Sequence, residues 1–239
     1  ENYELIYEES SIITGLSEAE EVIQYLEQGE IAKSPEKTVR EEAYSSMNRI
    51  KELWKLRYSS LRPICSVLHR HLCIRSIVLP ISEQRDEFLS LINASIEQKR
   101  LELAESVLQH CESKDPKCEK YRTMRCKLIW ARGDKKKAID SLSSLELTKE
   151  TNLILSQWLF EYGDLQKARL QLEKEMTKIN DQDKESLQLY NSNLAFSEWE
   201  VWANINLELF KSNPNQINYV IDSLEGLMNA LSVAKSHSI

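Results

Sequence analysis

Four soft donors crowd into nine residues: Cys65, His69, His71 and Cys73. Thiolates and imidazoles are the ligands zinc prefers, and a tetrahedral ion needs four of them converging on one point. A helix at this stretch works against that use. Cys65, His69 and Cys73 would share a face through i, i+4 steps while His71 points elsewhere. The remaining cysteines, Cys111, Cys118 and Cys126, follow at intervals of seven and eight, unlike a zinc knuckle. The expectation is core cysteines with exposed or packed histidines, and neither metal nor cofactor in this segment. Five cysteines in no disulfide spacing point to a reduced compartment inside the cell, cytoplasm or nucleus.

Other chemistries leave no sequence signature. There is no glycine-rich phosphate loop, nucleophile elbow, H-E-x-x-H pair or kinase catalytic set. His110 and His237 stand alone. Trp54, Trp130, Trp158, Trp199 and Trp202 all fall on apolar helical stripes, which suits packing between helices better than base stacking. Trp199 and Trp202 are expected to carry that packing in the longest late helix.

Charge offers one candidate surface. Lys51, Lys55, Arg57, Arg62, Arg70 and Arg75 lie within twenty-five residues and face only Glu52 as a counter-charge. An acidic stretch precedes them: Glu18, Glu20, Glu21, Glu27 and Glu30. Either neighbouring helices pair these faces, or the basic run docks an acidic partner. The net charge of -7 argues against a nucleic-acid surface. No apolar run reaches the ~18–20 residues of a membrane span.

The elements that would position these residues are helices. The phrase from Leu128 to Ala138 returns thirty residues later from Trp158 to Ala168, with Gly133-Asp134 echoed by Gly163-Asp164. A fainter copy upstream puts Ile96, Lys99, Ala104 and Leu108 in the places of Trp130, Gly133, Ala138 and Leu142. Periods of this size signify stacked helical hairpins, hence an all-α solenoid of antiparallel hairpins like TPR or HEAT repeats. Gly133 and Gly163 would end helices in a left-handed residue. Asp134 and Asp164 would cap the helices that follow. Ala138 and Ala168 would let paired helices approach.

Boundaries follow from the same signals. A first pair, ~2–14 and ~17–28, is expected to break at Gly15, with Ser17 and Glu20 forming a capping box. Ser34 would cap a helix opening at Pro35 and running to about Ser60. Pro63 would open the next and Pro80 close it. From about residue 82 the hairpins become regular: 83–97 with 100–111, 117–132 with 134–146, 148–162 with 164–180, and 184–211 with 215–236. The whole of 1–239 reads as one helical-repeat region, a fragment of a larger chain.

Specific strings resemble a known family. Leu16 to Tyr25 (LSEAEEVIQY) looks like a phrase in the FAT region of target-of-rapamycin kinases. Trp54 with Arg57, Arg75-Ser76-Ile77-Val78, Phe88 and Arg100-Leu101 with Leu103-Ala104 resemble later landmarks of that region. The Trp199-to-Asn206 stretch (WEVWANIN) and Tyr219 to Ser232 are similar to further elements of the same branch. Cys126 to Asp134 is closer to the checkpoint kinases of the ATR and ATM type. The resemblance implies a FAT region of a phosphatidylinositol-3-kinase-related kinase, target-of-rapamycin type first and checkpoint type second.

That implies a non-catalytic scaffold that clamps its own kinase domain, joins it to an upstream helical array and docks accessory subunits. ATP and magnesium would belong to the parent's kinase domain, and a dimeric parent is compatible. No catalytic residue is carried over. The alternative is a free-standing TPR-like adaptor whose groove holds an extended peptide. A ladder of exposed Asn, Lys or Arg on successive first helices would favour it, and Arg122, Arg125, Asn152 and Gln157 are scattered.

Overall fold

Apolar side chains recurring at helical spacing, with few glycines or prolines to interrupt them, produce helices throughout the described residues. The computed structural model describes residues 2–116, 118–146, 148–180 and 196–236. Those residues form eleven α-helices, one 3₁₀ turn and no strand. Where the sequence reads as one unit, the chain packs as two, residues 1–132 and 133–239.

The first unit holds α1 (Asn2–Ile31), α2 (Lys37–Ser60), α3 (Cys65–Arg75), α4 (Arg85–Glu97), α5 (Leu101–Lys114) and α6 (Glu119–Ala131). The break expected at Gly15 is absent, and α1 runs straight through it. A Cβ on Gly15 would meet Arg70 Cδ at 3.3 Å and Ile74 Cδ1 at 3.5 Å, so the small residue admits α3 rather than a turn. Ser17 and Glu20 therefore sit on exposed helix surface and form no capping box.

Ser34 also differs from its expected role. Its hydroxyl accepts from the Glu36 amide at 3.3 Å, shaping the loop, and α2 begins only at Lys37. Nor does Pro80 close α3. That helix stops at Arg75, and a turn leads to the 3₁₀ segment Ile81–Glu83.

Two cores lie inside this unit. Leu68, Leu91, Ile92, Leu108, Tyr121 and Leu128 belong to the larger, which joins α3 to α6. Val22, Ile50, Trp54 and Leu79 make the smaller, beneath α1 and α2.

The second unit contains α7 (Lys135–Ser143), α8 (Lys149–Tyr162), α9 (Leu165–Asn180), α10 (Phe196–Ser212) and α11 (Asn218–Ser236). Thr148 opens α8 with a reciprocal cap: its hydroxyl accepts from the Thr151 amide, and Thr151 Oγ1 accepts from the Thr148 amide at 2.7 Å. Helices α8 and α9 pack as a hairpin, as do α10 and α11. Ala138, Leu142, Ala168 and Leu172, the echoed positions of the repeat, are all buried. The expected start of the last pair at 184 lies outside the described residues.

Two of the repeat turns share one geometry, and all three carry a left-handed residue. Gly163 takes φ +95, its amide donates to Phe160 O at 3.0 Å, and the Asp164 amide reaches back to Leu159 O at 2.9 Å. Lys99, aligned with the glycines in the fainter repeat, adopts φ +58 with the matching bonds, Lys99 N to Ile96 O and Arg100 N to Ser95 O. Gly133 has φ +93. The aspartates that follow do less than expected. Asp134 precedes α7 without any side-chain cap bond, because its carboxylate is exposed and its ψ of 64 departs from a cap's extended backbone. Asp164 pairs instead with Lys167 Nζ at 2.6 Å.

Candidate interaction site

Helices α1, α2 and α3 meet around buried charge. Glu18 is fully buried, and its Oε2 accepts from Arg75 Nε at 3.0 Å and lies 2.9 Å from His71 Nδ1. One turn along α1, Glu21 receives Trp54 Nε1 at 2.7 Å and a bidentate Arg57 fork with both contacts at 2.6 Å. Arg75 also lies over the rings of Trp54 and Tyr58, at 5.9 and 5.6 Å. Burial alone would raise the Glu18 carboxyl. The contacts with His71 and Arg75 outweigh it and hold the group below its ordinary range. Burial pushes the Tyr58 phenol up, and its hydroxyl donates to Glu87 O at 2.8 Å.

The same unit gives the cations of the basic run partners of their own. Arg57 and Arg75 turn inward onto Glu21 and Glu18. Lys51 pairs with Glu83 at 2.6 Å and Lys55 with Glu52 at 2.9 Å. Arg70 donates to Ser11 Oγ at 2.7 Å, and Arg62 lies over the Tyr7 ring at 5.3 Å. The six cations are thus spread over separate partners, three of them (Arg57, Arg70 and Arg75) across a contact with α1.

The soft donors also separate. Cys65 is buried in the larger core, and His71 is buried against α1. His69 and Cys73 are exposed together, with Nε2 3.5 Å from Sγ. Among the described residues no three His, Cys, Asp or Glu side chains are arranged to hold a metal. All five cysteines are free, and burial pushes the Cys111 thiol up to about 11.

The tryptophans mostly pack. Trp54, Trp158, Trp199 and Trp202 are buried, while Trp130 is only half-buried. Trp202 lies where α10 meets α11. A Cβ on Gly226 would come within 3.0 Å of its ring, 3.2 Å of Ala203 Cβ and 3.3 Å of Trp199 O. Arg169 of α9 ties both helices down: it sits 5.4 Å from the Trp202 ring and 4.8 Å from Tyr219, and bonds Asp222 at 2.7 Å.

The feature that motif reasoning missed lies on the other side of α11. Ile221, Leu224, Met228 and Leu231, preceded by Ile217 in the turn before the helix, recur at steps of four and three, each between 56% and 71% exposed. Ser223, Gly226 and Ala230, on a different face, meet α10. One face of α11 is thus buried while a second, apolar one is bare. The 4-3 spacing was the signal available beforehand.

A groove of about 400 Å³ separates α7, α8 and α9, lined by Leu155, Leu159, Tyr162, Lys136, Lys167 and Lys174 among others. Its lysines stand on α7 and α9 and do not recur on one helix of successive hairpins. Of the scattered ladder candidates, Arg125 pairs with Glu105 and Glu112, and buried Asn152 accepts from Gln171.

No helix among the described residues is long and apolar enough to cross a membrane. No individual curated protein matches the chain. The family model described as the FAT domain matches residues 13–239. That match spans both units and nearly every helix described above, and the chain accordingly belongs to the FAT domain family of helical scaffolds found in phosphatidylinositol-3-kinase-related kinases.

Proposed function

We propose that this segment regulates the kinase domain of a large serine/threonine kinase of that class by packing against it, with the target-of-rapamycin branch ahead of the checkpoint branch. The observation that carries the reading is the bare stripe of α11. Burying a side chain such as Leu224 or Met228 is worth about 1.5–3 kcal/mol, so a scaffold gains affinity by leaving such a row for the domain it holds. The sequence phrases from Trp199 to Ser232, which resemble the target-of-rapamycin branch, fall on the two helices that build this end. Accessory subunits and an upstream helical array would engage other faces. An intracellular location and a nucleotide with magnesium in the parent's catalytic domain belong to the same reading. The TPR-like adaptor is the weaker alternative, because Arg125 and Asn152, two of its ladder candidates, are engaged within the chain.

The test uses the native protein that carries this segment, purified through an affinity tag and assayed for serine/threonine phosphorylation. The double variant Ile221→Asp/Leu224→Asp is expected to lower that activity at least tenfold with helix content unchanged. A native protein without phosphotransfer, or a variant with undiminished activity, would overturn the proposal.

A further inference from the structure

A second bare stripe runs along α1. Ile12, Leu16, Ile23 and Leu26 are each between 47% and 65% exposed. With Ala19 they repeat at steps of four and three. Their line lies roughly 100° around the helix from the line Ser11, Gly15, Glu18 and Val22 that packs on the core. From Ile12 to Leu26 it is about 21 Å long, two heptads for a facing helix.

Its outer edge is acidic. Glu9, Glu20 and Glu27 are exposed beside the stripe, and among the described residues none makes an ion pair. Glu20 and Glu27 are seven residues apart and repeat on one side of the seam, where flanking charges choose a coiled partner. Glu30 is the exception, since Lys33 holds it at 2.6 Å. The opposite edge borders α3, where Arg70 is already engaged by Ser11. The acids that could neutralise nearby cations have done so from the buried face, through Glu18 and Glu21. Those on the stripe's edge remain for something else.

We propose that this face of α1 docks an amphipathic helix from a separate partner protein, one bearing an apolar seam bordered by lysine or arginine at heptad spacing. The apolar row supplies contact area, and the one-sided acidic edge sets which way the partner lies. The inference stands on α1 alone and does not rest on the kinase reading.

The native protein that carries this segment is titrated with a fluorescein-labelled three-heptad peptide carrying leucine at the seam and lysine beside it, and with the same peptide carrying glutamate for lysine. The lysine peptide is expected to bind at least tenfold tighter, with affinity falling as salt rises. Glu20→Lys/Glu27→Lys should cost at least tenfold, Leu16→Ser/Ile23→Ser should abolish binding, and Glu41→Lys/Glu42→Lys on α2 should change it less than twofold. All substituted side chains are exposed, so circular dichroism and melting temperature should hold. Equal binding of the two peptides, no binding of either, or equal losses from the α1 and α2 charge reversals would overturn the proposal. So would a dimer in sedimentation equilibrium that Leu16→Ser/Ile23→Ser dissolves, which would give the face to a second copy.

Discussion

Glu18 is a carboxylate without access to water, and what keeps it charged is the pair Arg75 and His71. Removing one member of such a buried pair leaves the other charge uncompensated, at a cost of about 3–5 kcal/mol. Glu18→Gln should show that loss in urea unfolding, and Glu18→Leu/Arg75→Met should recover much of it. The pH dependence follows from the lowered carboxyl. A group whose folded pKa is depressed contributes stability above its unfolded pKa and loses it as pH falls through the folded value. The chain should weaken as pH drops below the ordinary carboxylate range, and Glu18→Gln should flatten that slope. None of these partners was legible one residue at a time. Glu18 and Arg75 are separated by 57 positions, and only the packing of α3 on α1 makes the basic run a set of internal pairs.

Helix by helix, the legible parts were those where one residue type answers one backbone demand. The turns at Gly133 and Gly163 are of that kind, and the weak repeat extends the rule to Lys99, where a side chain occupies a left-handed backbone. Lys99→Gly should therefore raise stability by about 1 kcal/mol in thermal or chemical unfolding, since a non-glycine residue there costs roughly 1–2 kcal/mol. Gly226 is the opposite case, a helical glycine kept small by Trp202 and Ala203. Gly226→Ala should destabilise by about 1–3 kcal/mol despite alanine's better helix propensity. Gly15 misled because it serves the same purpose: local sequence cannot distinguish a glycine that turns a chain from one that admits a neighbouring helix. Trp202→Ala should cost ~3–5 kcal/mol through the cavity left under Arg169. A loss under 1 kcal/mol would contradict its burial.

For the whole molecule, the all-helical class and the family were legible because repeat spacing and ordered phrases extend over most of the chain. The division at residue 132 and the bare stripes were not, because exposure depends on which faces neighbouring helices leave uncovered. The proposed docking uses those faces, and α11 bears the greater weight in this account. The most direct test places a photo-crosslinking amino acid at Leu224 in the native full-length protein and maps the adducts by mass spectrometry. Adducts on helices of a kinase domain in the same polypeptide are the predicted result. Adducts confined to an unrelated polypeptide, or a Leu224 that reacts only with solvent, would contradict the account.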